Sequence, residues 1–251
     1  MTLDVALSLA HIGLASALVA HMALRRVFRP SPVFFAYLCF DLGSSSVGLA
    51  ICRSSGFCIW YLRFFLFAYA GDLLLYLCVL AELGKNLLRF NRKSRPQWKL
   101  AVLLFVVAVA LIGSLSRWAA TPSRTLLANI CFLTMRADGA LEFAGFFALI
   151  SWSGLRKLHW PERELRIATG FGFVAFVWFL VSLLQYEWNT GPVYHWLYQS
   201  GQAAGLVTLA YWLYYFWIDA EREPAARDAA AGSDRASNRN DPDGAQRLDM
   251  V

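Results

Sequence analysis

Ile167-Ala-Thr-Gly-Phe-Gly-Phe-Val-Ala-Phe-Val-Trp-Phe-Leu-Val-Ser-Leu-Leu-Gln-Tyr186 runs for twenty residues without one charged side chain. At a rise of ~1.5 Å per residue a helix of that length measures about 30 Å, the thickness of a bilayer's hydrocarbon core. Lipid gives the backbone no hydrogen-bond partner, and the run lacks period-2 alternation, so a helix is the expected conformation. Working outward, six more apolar runs can be read: Leu3–Leu24, Val33–Cys52, Phe57–Leu83, Leu100–Trp118, Thr125–Trp152 and Val193–Ile218. The composition agrees. Of 251 residues, 58% are hydrophobic and only 16% charged, against about 25% charged in a soluble domain. The expected fold is therefore all-α, a polytopic membrane bundle of seven transmembrane helices occupying residues 1–218. The third and fifth runs exceed the length needed, which implies tilt or protrusion.

Basic residues orient the bundle. The loops after the first, third and fifth runs hold thirteen Lys and Arg, among them Arg25, Arg26, Arg29, Lys85, Arg89, Arg156 and Lys157. The opposite loops hold four: Arg53, Arg63, Arg117 and Arg124. The positive-inside rule places the thirteen in the cytoplasm, so the N-terminus lies outside and the C-terminus inside the cell's inner (plasma) membrane. The net charge of +6 then reflects topology and contact with anionic headgroups rather than nucleic-acid binding. Met1–Asp4 carries an acid and no base, while a basic cluster follows the first run, so that run reads as a retained span and not as a secretory signal.

Residues 219–251 change in character. They are rich in Ala, Asp, Arg, Gly, Asn and Ser, with eight acids and five arginines. Such a segment buries too little apolar surface to fold alone, and it reads as a disordered cytoplasmic tail, open to a cytoplasmic protein partner.

Ionisable groups at membrane depth are costly and normally turn inward to find partners. Asp41 lies near the middle of the second run, followed by Gly43-Ser44-Ser45-Ser46. Asp72 lies at mid-depth in the third, and Glu82 lies near its inner end with Lys85 three residues on, where the two are expected to form an interfacial ion pair. The fifth run holds Arg136, Asp138 and Glu142 within seven residues. At 100° per residue Asp138 and Glu142 share a face, whereas Arg136 points about 200° from Asp138. Arg136 is then expected to reach an acid on another helix, Asp41 or Asp72. In the seventh run His195, Gln199 and Gln202 form a polar stripe at i, i+4 and i+7. These eight residues — Asp41, Asp72, Arg136, Asp138, Glu142, His195, Gln199 and Gln202 — are the candidates for ligand binding or a charge network. Structural ion pairs that fix helix register are the competing reading of the acids and Arg136, and plain interhelical hydrogen bonding is that of the stripe. His11 and His21 read as single buried or interfacial histidines.

Several chemistries are disfavoured. A retinal protein needs a lysine in its last helix, and all four lysines (Lys85, Lys93, Lys99, Lys157) fall in the basic loops. A seven-helix zinc hydrolase needs clustered histidines, and only His11, His21, His159 and His195 exist. Pro96-Gln97 matches the PQ-loop dipeptide of small sugar transporters, but in a single copy. The five cysteines lack metal-type spacing, although Cys52 and Cys58 flank one short outer loop and a disulfide there is one reading. No catalytic motif, metal set or cofactor site is read.

Tyr69-Ala70-Gly71-Asp72, followed by Ala81-Glu82-Leu83-Gly84-Lys85-Asn86-Leu87-Leu88-Arg89, resembles the third helix of a group of uncharacterised bacterial seven-helix integral membrane proteins. The resemblance covers the layout of the whole chain and this one helix in detail, and it implies no activity. The functional expectation is a non-enzymatic sensory or ligand-binding membrane module bound to the lipid bilayer and to a small-molecule ligand. The alternatives are a secondary, proton-coupled transporter and a structural accessory subunit, and the oligomeric state is open.

Overall fold

A computed structural model describes residues 3–26, 28–55, 59–90, 126–155, 157–187 and 192–239. Six helices occupy them: α1 (Leu3–Leu24), α2 (Pro32–Ser55), α3 (Ile59–Phe90), α4 (Leu126–Leu155), α5 (Glu162–Glu187) and α6 (Pro192–Arg239). The all-helical class agrees with the sequence reading. The helix count among the described residues is six rather than seven, because the expected span Leu100–Trp118 lies outside them. So do Cys58, and with it the Cys52–Cys58 pairing, and Pro96-Gln97. Cys39 and Cys78 are free thiols.

Among the described residues, four stretches can cross a membrane by length and composition: Leu3–Leu24, Pro32–Ile51, Arg63–Arg89 and Glu162–Gln185. The distribution of polarity fits that reading. On α5, Phe173, Phe176, Leu180, Leu183 and Leu184 fall on one face at helical spacing and are exposed. The opposite face buries Ile167, Ala168, Phe171 and Ala175 and carries the buried Gln185. In water an exposed stripe of phenylalanine and leucine is the wrong way round; against lipid it is the expected arrangement.

The chain divides into two compact units, Met1–Leu213 and Tyr214–Val251. Within the first, α1 packs on α2, α2 on α3, α3 on α4 and α4 on α5. The first part of α6 reaches α5 through Trp212, which lies against Gly170, and reaches α1 through the hydrogen bond from Gln199 Nε2 to Asp4 Oδ1 (2.9 Å). Among the described residues consecutive helices thus pack on one another, and α3 also meets α5. Two of the contacts depend on a missing side chain. A Cβ at Gly71 would strike the Phe40 ring, and one at Gly170 would strike the Trp212 indole, so glycine lets α2 approach α3, and α6 approach α5, through an aromatic ring.

In the second unit, the helix continues from Tyr214 to Arg239 with no break at Asp219, where the sequence reading begins a disordered tail. Alanines at 220, 225, 226 and 229–231 supply high intrinsic helix propensity through that segment. The last twelve residues of the expected tail, 240–251, lie outside the described ones.

The ends of the helices show why these segments stop and start where they do. Arg26 (φ 55°) and Lys157 (φ 49°) take left-handed conformations just past α1 and α4. After α4 the Lys157 amide donates to the Gly154 carbonyl and the Leu158 amide to that of Ser153, both at 3.0 Å. That is a Schellman closure, with a cation placed at the negative end of the helix dipole. At the start of α2, Pro32 has no amide proton to orphan. The next two donors, Val33 N–H and Phe34 N–H, reach the Glu82 carboxylate of α3 at 3.4 and 3.2 Å. Glu82 therefore caps a neighbouring helix; the expected pairing with Lys85, which is exposed, is not its role.

Candidate functional site

The helices line a partly open cavity of about 450 Å³. Its wall begins at Asp4, Phe64 and Tyr198, near the starts of α1, α3 and α6, and continues inward to Phe171, Leu209 and Trp212. Fourteen residues of α6 separate Tyr198 from Trp212, so the lined path is elongated, about 20 Å along the helix axis.

The inner end is closed by aromatic packing. Phe171 is 3% exposed and meets the edges of Phe34, Tyr37 and Tyr76 at ring-centroid distances of 5.8, 5.0 and 5.2 Å. Trp212 adds contacts of 4.9 Å to Phe34 and 5.0 Å to Phe171. Edge-on geometry sets the positive rim of one ring against the negative face of the next. Two polar tips in this cluster are satisfied by backbone: Tyr76 Oη donates to the Glu142 carbonyl at 2.8 Å, and Trp212 Nε1 to the Arg166 carbonyl at 3.3 Å.

The walls are polar and acidic. Asp41, on α2, has its Oδ2 at 2.9 Å from His11 Nε2 on α1, and both side chains are largely buried. Asp72 on α3 and Glu142 on α4 line the same space; Glu142 is 7% exposed. Ser44 and Ser45, in the turn after Asp41, also line it. Trp178 forms one side, seated between two glycines: a Cβ at Gly139 would lie 3.3 Å from the Trp178 Cβ, and one at Gly201 would lie 3.0 Å from its ring.

Two wall atoms lack partners. Gln185 Nε2 and Thr208 Oγ1 are buried without any hydrogen bond, on side chains 5% and 3% exposed. Such a group costs about 1–3 kcal/mol to leave unsatisfied; both residues line the cavity, but the two polar atoms themselves are turned away from its open volume.

Of the residues singled out from sequence, Asp41, Asp72, Glu142 and Gln202 line this cavity. Gln202 donates to Tyr198 Oη at 2.9 Å, and Gln199 lies at the mouth, bonded to Asp4. His195 is exposed, with its ring 6.2 Å from that of Tyr194, so the stripe at i, i+4 and i+7 is not brought to one site. The side chains of Arg136 and Asp138 lie outside the described residues. Sequence reasoning passed over four contributors. His11 gave no signal, because its partner is thirty residues away on another helix. Asp4 looked like a terminal residue. Thr208 looked like an ordinary small helix residue. Gln185 did carry a signal, as the one side-chain amide in the otherwise apolar run Ile167–Tyr186.

Among the described residues no group of three His, Cys, Asp or Glu side chains is arranged to hold a metal ion. No protein-family model, no curated protein and no solved structure matches this chain.

Proposed function

We propose that the chain is a non-enzymatic, ligand-binding membrane module of sensory type, and that the cavity between α1–α5 and the first part of α6 receives a small molecule. What supports the reading is a cavity of about 450 Å³ whose lining includes the polar side chains of Asp41, Asp72, Glu142 and Gln202, a size within the usual range for small-molecule sites. In this reading the chain spans the plasma membrane seven times, with its N-terminus outside and its C-terminal segment in the cytoplasm. The cavity mouth at Asp4, Phe64 and Tyr198 then faces outward, and the C-terminal segment meets a cytoplasmic protein. A ligand can shift output only through different affinities for two arrangements of the helices.

Native mass spectrometry of the protein released from nanodiscs tests this, with wild type compared with Asp41→Asn and Gln185→Leu. A co-purifying small molecule present in wild type and lost in both variants is the expected result; a bare mass for all three defeats the reading. A transporter is the second reading, favoured by the three acids Asp41, Asp72 and Glu142 on one cavity wall. It predicts solute flux driven by a pH gradient in proteoliposomes, and a binding module predicts none.

A further inference from the structure

We propose that the His11–Asp41 pair is a proton-binding site on the cavity wall, with His11 Nδ1 as the atom that takes up and releases the proton. The two nitrogens of the ring have different surroundings. Nε2 lies 2.9 Å from Asp41 Oδ2. A carboxyl is a stronger acid than an imidazolium, so Asp41 accepts and Nε2 carries a hydrogen whether the ring is neutral or charged. Nδ1 is then the position that changes. It holds a bare lone pair in the neutral ring and a second N–H in the imidazolium. Among the described residues Nδ1 has no hydrogen-bond partner, and unlike Gln185 Nε2 and Thr208 Oγ1 it is not sealed within protein. The space beside it is open. His11 and Gly205 both line the cavity, and a Cβ at Gly205 would meet Nδ1, at 4.0 Å, and nothing nearer.

A polar path leads to this atom from the mouth. Asp4, Ser8 and His11 recur at i, i+4 and i+7, which is one face of α1, and all three line the cavity. Asp4 stands at the mouth, about 10 Å from His11 along the helix axis. Uptake moves one proton from water in the cavity to the Nδ1 lone pair. The Nε2–H bond to Asp41 stays in place, and the pair goes from one net negative charge to none. The other titratable side chains on the wall are Asp4 on α1, Tyr37 on α2, Tyr69 and Asp72 on α3, Glu142 on α4 and Tyr198 on α6; α5 brings none. A charge step among them counts for far more in low-dielectric surroundings than in water. Acidity at the mouth is thereby turned into a change of charge where α1, α2 and α6 face one another. The site concerns a proton and not the small molecule proposed above, so either can fail without the other.

Nitrogen NMR of ring-labelled histidine tests this on the full-length protein in phosphatidylcholine nanodiscs, with the His11 signals identified by their loss in His11→Gln. Between about pH 9 and about pH 5, a range that brackets the ordinary titration of imidazole, the Nδ1 signal is expected to move from bare to protonated. Nε2 is expected to stay protonated throughout, and Asp41→Ala to displace its signal. Gly205→Leu sets a side chain over Nδ1 and is expected to abolish most of the Nδ1 movement. Should that variant not fold, Ser8→Leu obstructs the same face of α1 one turn earlier. An Nδ1 signal unchanged across the range, or a proton still on Nδ1 at the alkaline end, overturns the proposal. So does a titration that the filling variant leaves unaltered, or an Nε2 signal indifferent to Asp41→Ala.

Discussion

The two ends of the cavity treat polar groups in opposite ways. At the inner end, beside Phe34, Phe171 and Trp212, the Tyr76 hydroxyl and the Trp212 indole N–H both have backbone partners, and rings pack around them. In the walls nearer the mouth polar side chains line open volume, and the buried Gln185 Nε2 has no hydrogen-bond partner. A bundle that needed only to hold itself together would treat both ends like the first. The contrast separates residues that stabilise the fold from residues kept at some cost to it, a division that apolar content alone does not reveal.

Substitutions can break or sharpen that contrast. The largest effect is expected at Phe171→Ala, which removes the ring at the centre of four aromatic contacts; it should cost about 3–5 kcal/mol, read as a lowered unfolding midpoint in a detergent–denaturant titration. Glu82→Leu should cost about 2–3 kcal/mol, because two amides at the start of α2 lose a charged acceptor with no water at hand to replace it; the same titration reports it. Tyr76→Phe deletes one hydrogen bond and little volume, and a loss of about 1 kcal/mol is expected. Gln185→Leu at the other end, and Thr208→Val one turn from Trp212, should change stability by less than about 0.5 kcal/mol, or raise it, since each exchanges an unsatisfied polar atom for an apolar one. If either of these lowered the midpoint as far as Tyr76→Phe does, its polar atom would have a structural partner and the division between the ends would collapse.

The parts of this architecture that were legible in the sequence are those encoded locally. The run Leu3–Leu24 is α1 to the residue, and Ile167–Tyr186 lies within α5, because apolar length reports directly on a helix that must satisfy its own backbone. The helix ends were less legible. α3 runs seven residues past Leu83 to Phe90, and α6 passes through Ile218 without interruption, since a basic or alanine-rich segment can stay helical after hydropathy has fallen. Pairings were the least legible. The bond between His11 and Asp41 and the capping of α2 by Glu82 join residues thirty or more positions apart, and helical periodicity places a residue on a face without naming what the face meets. The same limit explains Glu82, whose nearest opposite charge in sequence is not the group it serves. Arg136, for which an acid on another helix was expected, remains an expectation, because its side chain lies outside the described residues.

The seating of Trp212 on Gly170 has a mechanical consequence. An indole pressed onto a bare backbone resists sliding and separation more than it resists small rocking, so the contact behaves as a fulcrum near the sealed end of α5. Gln185 lies fifteen residues beyond it, a lever arm of about 22 Å at ~1.5 Å per residue. A rocking of α5 by about 5° about that fulcrum carries the far end of the arm through about 2 Å, the difference between a mouth that admits a methyl group and one that does not, while the rings at the pivot barely move.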